Sequence, residues 1–133
     1  LVANEKVEGS TPFARSIYNM TDLLNKKCIP CEGAVIPFDI SEIHKYQKKV
    51  DGWLLKKDEK EIYFLEKEFI FKNFLESQSF INKVGTISES EGHHPDILFG
   101  WGYAKIKITT HAIKGLSEND FILAAKIDQS FNV

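Results

Sequence analysis

Apolar residues recur at helical spacing in three stretches of the chain, and each stretch begins at a residue that can cap a helix. The capping residues are Ser41, Asn73 and Ser117. The apolar positions of the first two stretches are Ile43, Tyr46 and Val50, and then Phe74, Ile81, Val84 and Ile87. Residues 121–127 are nearly all apolar, which is typical of a buried helix. The pattern therefore predicts three helices.

Between these helices the pattern changes to that of β-strands. Residues 53–55 and 61–71 are rich in apolar, β-branched and aromatic side chains, and a charged turn separates them, which predicts a hairpin. Residues 97–99 and 104–108 flank a Gly-Trp-Gly turn, and apolar residues alternate with lysines in the second of these runs. The order α-β-β-α-β-β-α predicts an α+β fold with a four-stranded antiparallel sheet covered by helices on one face.

Composition and charge fit one globular domain and limit the classes of partner that we expect for it. A chain of 133 residues, 43% of them hydrophobic, can bury roughly two thirds of its unfolded surface. Because the formal charge is -2, we expect no nucleic acid partner. No apolar run approaches the roughly 20 residues that span a bilayer, so we expect no membrane contact. The start of the chain is too polar for a signal peptide. A cytoplasmic location is expected, with a nuclear one left open.

The two cysteines, Cys28 and Cys31, form a single Cys-x-x-Cys motif. Two thiols cannot complete a four-cysteine metal site, and no predicted strand precedes them to build a thioredoxin-like redox site. We therefore favour reduced, structural thiols over a metal or redox role.

Three of the four histidines lie close together in the sequence, and a carboxylate follows them. They are His93, His94 and His111, and the carboxylate belongs to Asp120. Imidazoles exchange protons near neutral pH, so this group predicts acid–base chemistry. If the strand ending near Ile108 continued, His111 would share the face of the lysines and project away from the core.

Each of these residues also has an interpretation without catalysis. An isolated His-His pair is often a surface feature, and a carboxylate at the third position of a capped helix stabilises that helix by roughly 0.3 to 1 kcal/mol. Adjacent histidines in an extended segment point to opposite sides of the chain. His93 and His94 would therefore not easily bind one ion together with His111, and we predict no metal.

The spacing of these residues resembles the signature of the pterin-4a-carbinolamine dehydratase family. That signature has an acidic residue, three intervening positions, His-His-Pro, an aromatic residue, a downstream histidine and an aspartate. The matching residues are Glu89, His93, His94, Pro95, Trp101, His111 and Asp120. The resemblance covers most of residues 41–129. It divides the chain into an N-terminal extension, residues 1–40, and a pterin carbinolamine dehydratase-like domain, residues 41–133.

The resemblance implies dehydration of 4a-hydroxytetrahydrobiopterin to quinonoid dihydrobiopterin, in the recycling of tetrahydrobiopterin, without a metal or organic cofactor. The implied catalytic residues are His93, His94, His111 and Asp120. The implied substrate-binding residues are Glu89, Pro95 and Trp101. In this scheme the histidines exchange protons with the pterin, and Asp120 fixes the tautomer of His111.

The alternative function is a non-catalytic pterin-binding or dimerisation and coactivator module. Members of the family are known as oligomers, and one animal member is also a coactivator. We expect a homodimer or homotetramer, because a strand as aromatic-rich as residues 63–71 would be a liability at an open sheet edge.

Overall fold

Residues 22–30 and 35–132 are described by a computed structural model. The helices are α1 (Ile40–Gln47), α2 (Phe74–Glu91) and α3 (Glu118–Phe131). The strands are β1 (Leu54–Lys57), β2 (Tyr63–Ile70), β3 (Asp96–Gly100) and β4 (Tyr103–Ile108). A short 3-10 turn, His111–Ile113, lies between β4 and α3. The predicted α-β-β-α-β-β-α order and the α+β class are confirmed for this part of the chain.

The four strands form one antiparallel sheet in the order β1-β2-β4-β3. β2 is a central strand, paired with β1 on one side and with β4 on the other. This aromatic-rich strand is therefore not at an open edge, contrary to expectation, and it needs no partner subunit to protect it. The edges are β1 and β3, and the oligomeric state stays a prediction.

The core lies between one face of the sheet and the helices. Leu65 of β2 pairs with Ile108 of β4, and both side chains are fully buried. α2 contacts β3 and β4, and α3 packs against α2. Nearly every side chain of α3 from Phe121 to Ala125 is inaccessible to solvent, so burial on several sides rather than amphipathic spacing defines this helix. The lysines of β4 lie on the opposite, wetter face.

The predicted helix caps are found at α2 and α3 but not at α1. Asn73 Oδ1 accepts a hydrogen bond from Glu76 N at 2.9 Å, as predicted for α2. At α1 the prediction of Ser41 was wrong, because Asp39 caps the helix by accepting from Glu42 N at 2.9 Å. Ser41 lies inside the first turn instead.

Three of the four residues of the predicted apolar stripe of α2 lie against the core: Val84 is buried, and Ile81 and Ile87 are partly buried. Phe74 is exposed at the start of the helix, whereas Phe80 and Val84 are buried against the sheet. A stripe chosen from the apolar residues alone missed Ser77 and Ser88, which are also on the buried face.

Part of the N-terminal extension packs onto the domain. Residues 22–24 are helical, Leu23 is fully buried in the core, and the Cys28 side chain is also buried. Cys31 lies outside the described residues, and the predicted domain boundary at residue 40 stays a prediction. No helix within residues 22–30 and 35–132 has both the length and the apolarity to cross a bilayer.

Candidate active site

The first part of the site is the chain reversal at the end of α2. Gly92 adopts a left-handed conformation, φ 65°, and its N–H bonds to Glu89 O. His93 N bonds to Ser88 O at 3.2 Å, which completes a Schellman-type helix end. Glycine adopts this conformation at little cost, and the turn places His93 and His94 directly before β3. α2 therefore ends directly before the two histidines.

His93 forms the buried pair of the site. Its Nε2 atom lies 2.7 Å from Oδ1 of Asp120. The Asp120 side chain is 0% exposed and that of His93 is 13% exposed. A neutral imidazole that donates Nε2–H to this carboxylate has Nδ1 as its proton acceptor. Asp120 therefore selects one tautomer of His93.

Asp120 also joins three segments of the chain. Its Oδ2 atom accepts hydrogen bonds from Thr110 Oγ1 at 2.7 Å and from Ser117 N at 2.8 Å. The second bond belongs to a capping box at the start of α3, so the predicted capping role is confirmed. Three bonds satisfy a carboxylate that would be costly to bury alone.

The predicted pairing of Asp120 with His111 was wrong. Both oxygens of Asp120 are occupied by His93, Thr110 and Ser117. β4 ends at Ile108, and a bridge between Thr110 and Gly115 bends the chain into the 3-10 turn that contains His111. His111 is linked to the His93–Asp120 pair only indirectly. The residue before it is Thr110, and the Thr110 side chain bonds to Asp120.

His111 is exposed, although not by the predicted continuation of β4. It contributes to a small cavity of about 50 Å³ on the lysine-bearing face of the sheet. The other residues that line this cavity are Asp58, Ile62, Phe64, Lys107, Thr109 and Lys114. The pKa of Asp58 is lowered chiefly by the backbone N–H of Ile62. This carboxylate thus provides a fixed negative charge near His111.

His94 forms a second pair, in a different environment. Its Nε2 atom lies 2.6 Å from Oε1 of Glu89, and the two side chains are 62% and 80% exposed. Adjacent histidines thus contact different carboxylates, as expected for an extended segment. Taken alone, Glu89 and Glu91 were equally plausible as solvated residues at a helix end, and only the family resemblance favoured Glu89 as a site residue. Glu91 instead points into the protein, where it contacts Cys28 N and Lys126.

The two other predicted binding residues lie at opposite ends of β3. Pro95 directly precedes this strand, beside the histidines. Trp101 lies in the β3–β4 turn and is 71% exposed. Five strand residues separate these ends by roughly 16 Å at ~3.3 Å per residue. The structure therefore does not bring Trp101 to the histidines of the same chain.

Thr110 is a member of the site that the sequence did not indicate. It precedes His111 directly, but its hydroxyl bonds to a carboxylate ten residues away in α3. Only the bend after β4 turns this side chain towards Asp120. In the part of the chain that the structure describes, no three histidine, cysteine or carboxylate side chains are grouped to hold a metal ion.

The fold and the site together define a class: an α+β protein with two adjacent histidine–carboxylate pairs at one end of an antiparallel sheet. The profile of the family described as pterin 4 alpha carbinolamine dehydratase matches residues 37–130. The chain belongs to this family.

Curated relatives match over most of their length. A protein of Halorhodospira halophila is 48% identical over 106 residues, which is 80% of this chain and 94% of the relative. A protein of Nitrosospira multiformis is 48% identical over 113 residues, 84% of this chain and 95% of the relative. Both carry the name of a candidate pterin-4-alpha-carbinolamine dehydratase.

Two solved structures have a similar fold. A transcriptional coactivator/pterin dehydratase from Brucella melitensis has a TM-score of 0.63 at 23% identity, covering 71% of this chain and 97% of that one. A pterin dehydratase-like protein, identified as a RuBisCO assembly factor in the alpha-carboxysome, has a TM-score of 0.51 at 25% identity, covering 59% and 88%.

Proposed function

We propose that the protein is a 4a-hydroxytetrahydrobiopterin dehydratase that acts by histidine acid–base catalysis. The observation that supports this most directly is the 2.7 Å bond between His93 Nε2 and the buried carboxylate of Asp120. It fixes an imidazole with one defined acceptor nitrogen at a place where a second imidazole, His94, adjoins it. Membership of the family supplies the substrate class.

The reaction needs one proton donor and one proton acceptor. The bond between carbon 4a and its hydroxyl oxygen breaks, the oxygen takes a proton and leaves as water, and the adjacent ring nitrogen loses its proton as the new double bond forms. We assign the ring proton to Nδ1 of His93, whose tautomer Asp120 fixes. The exposed His94 donates to the leaving oxygen and recovers its proton from solvent.

His111 shares the proton transfer in this proposal, and Glu89 and Pro95 contact the pterin. Each acid or base contributes roughly a hundredfold to ten-thousandfold in rate. No step of this mechanism requires a metal or an organic cofactor. Trp101 remains a predicted binding residue, although its place at the far end of β3 gives it no contact with His93 or His94 of its own chain.

The test is the loss of 4a-hydroxytetrahydropterin, generated in place by a hydroxylase and followed by absorbance with and without the protein. We expect acceleration that survives EDTA. Acceleration that EDTA abolishes would support a metal site instead. No acceleration, with or without pterin binding, would favour the non-catalytic binding and coactivator module.

Substitution of the histidines tests the site itself. We expect His94→Ala and His111→Ala each to lower turnover by about a hundredfold or more, with the fold intact by circular dichroism. His44→Ala is the matched control, because His44 is exposed on α1 and belongs to neither pair. Wild-type turnover in both site variants would overturn the assignment.

We also propose a homodimer or homotetramer in the cytoplasm, serving tetrahydrobiopterin recycling. The edge strand β3 is open for pairing, and the exposed Leu98 side chain lies on it. Analytical ultracentrifugation that shows only monomer would remove the oligomer from this proposal.

A further inference from the structure

A short N-terminal segment, residues 27–29, lies against the end of α2 that carries the histidines. We call these residues the strap. Cys28 N donates a 2.9 Å hydrogen bond to Oε1 of Glu91, and Lys27 Nζ donates to Ser90 O at 2.8 Å. Glu91 is the last residue of α2 and lies two positions before His93. The strap therefore holds the last turn of α2.

The same segment is bound to the first turn of α3 by one side chain. Oδ1 of Asn119 accepts from Ile29 N at 3.1 Å, and Nδ2 of Asn119 donates to Ile29 O at 2.5 Å. The amide thus pairs with both backbone groups of one strap residue, as a neighbouring β-strand would. Cys28 Sγ also donates to Asn119 O at 3.5 Å. Asn119 directly precedes Asp120.

The strap has the properties of a permanent structural element, because its polar groups are bonded and its thiol is unreactive. Burial, reinforced by the Glu91 carboxylate, raises the pKa of the Cys28 thiol to about 12, so the group is a hydrogen-bond donor and not a reactive thiolate. Glu91 is buried as well, and its second oxygen lies 2.5 Å from Lys126 Nζ on α3. Both carboxylate oxygens of Glu91 therefore have a hydrogen-bond donor.

We propose that the strap and Asn119 act as positioning residues that set the distance between His93 and Asp120. The two members of that pair belong to different elements, one after the end of α2 and one in the first turn of α3. The strap is bound to both elements within two residues of each member. Because a hydrogen bond weakens steeply once its length or angle departs from the optimum, small movements of either helix end would loosen the pair.

This inference rests on the proposed function only for its effect on turnover, and its structural part can be tested without substrate. The main variant is Asn119→Ala. The matched control is Gln47→Ala, since Gln47 is likewise a side-chain amide that donates to a backbone carbonyl, Trp53 O at 2.9 Å, away from the histidines. Circular dichroism and thermal melting establish that both variants fold.

The first readout is the tautomer of His93, from the ¹⁵N shifts of its ring at a pH where the imidazole is neutral. We expect one tautomer, protonated at Nε2, in the wild type and in Gln47→Ala, and a mixture in Asn119→Ala. An unchanged single tautomer in a folded Asn119→Ala protein would overturn the proposal, whatever the enzyme assays show.

The second readout is turnover. We expect Asn119→Ala to lower kcat by about tenfold while KM changes by less than about twofold, because a looser pair affects proton transfer more than binding. An equal loss in Gln47→Ala would show a general effect of stability and contradict the positioning role. If the wild type shows no dehydratase activity, the proposed function fails, whereas the tautomer readout still decides the role of the strap.

A second variant protects the test against misfolding. If Asn119→Ala does not fold, Asn119→Asp retains the acceptor for Ile29 N, whereas the donor to Ile29 O is replaced by a charged oxygen that repels this carbonyl. We expect the same change of tautomer. A single Nε2 tautomer in this folded variant, together with wild-type kcat, would count against the proposal.

Discussion

His93 and His94 are neighbours in the chain, and each lies within 2.7 Å of a carboxylate oxygen, yet their environments are opposite. The partner of His93 is fully buried and accepts two further hydrogen bonds, from Thr110 and Ser117. The partner of His94 is on the surface, and more than half of each side chain is exposed. Nearly equal distances therefore describe two different interactions.

The difference shows which pair can be organised in advance of the substrate. An exposed ion pair contributes about 0 to 1 kcal/mol, because water and side-chain freedom compete with it. A buried carboxylate must be satisfied by the protein, and here three donors hold Asp120 in one orientation. We infer that His93 has a fixed geometry, while His94 is free to move and to exchange protons with water.

Asp120→Asn should give the largest effect. The amide oxygen will face Thr110 and Ser117, because both donate to that side, so the amide NH₂ will face Nε2 of His93. Nε2 must then accept a hydrogen bond, and the proton moves to Nδ1, the nitrogen that the mechanism needs as an acceptor. We expect kcat to fall by about a hundredfold or more.

Steady-state kinetics and the ¹⁵N shifts of His93 measure this outcome together. The control is Asp128→Asn, a second buried aspartate of α3, which bonds to Trp53 and Lys67 and is remote from the histidines. Its substitution should reduce stability and leave turnover per folded molecule within about twofold of the wild type. Wild-type kcat in Asp120→Asn would mean that the buried pair has no role in proton transfer.

Glu91 and Glu89 extend the comparison to two carboxylates on the same helical turn. Burial opposes the charge of Glu91, but hydrogen bonds from Cys28 N and Lys126 outweigh it and lower the pKa of Glu91 below its ordinary value of 4.5. A group with a lowered folded-state pKa stabilises the protein above its unfolded pKa, and this contribution is lost as pH falls through the folded value.

Glu91→Gln should therefore lower the free energy of unfolding by about 1 to 3 kcal/mol at neutral pH. The difference from the wild type should shrink below about pH 4.5, where the unfolded chain takes up protons first, and vanish at lower pH. Urea denaturation across this range measures it, with Glu89→Gln as the exposed control. A difference that does not depend on pH would show that the charge of Glu91 is unimportant.

The sequence predicts the elements of this fold well and the pairing inside the site poorly. The α-β-β-α-β-β-α order follows from apolar spacing and turn residues, which act locally. Which carboxylate meets which histidine depends on where β4 ends. The family resemblance implied that Asp120 fixes the tautomer of His111, and the alternation up to Ile108 gave no sign that the chain would bend at Thr110. The burial of Glu91 could not be predicted either, because its partners, Cys28 and Lys126, come from distant parts of the sequence.

Thr110→Val should have an intermediate effect. It removes one of the three donors to Asp120 while keeping the shape of the side chain. We expect a loss of roughly 1 kcal/mol in stability and a decrease in kcat of about threefold to tenfold, because His93 and Ser117 still hold the carboxylate. Thr110→Ser restores the hydroxyl and should recover most of both. A variant as impaired as Asp120→Asn would place Thr110, rather than His93, at the centre of the proton transfer.

Glu89→Gln should give the smallest effect, because both members of its pair are exposed. We expect a change in the free energy of unfolding below about 0.5 kcal/mol and an increase in KM of less than about fivefold, with kcat nearly unchanged. Salt provides an independent test, since screening weakens exposed charges far more than buried ones. High salt should therefore abolish the difference between Glu89→Gln and the wild type and leave that between Asp120→Asn and the wild type intact. A hundredfold decrease in kcat in Glu89→Gln would show that the substrate buries this pair on binding, so that His94 becomes as fixed as His93 during the reaction.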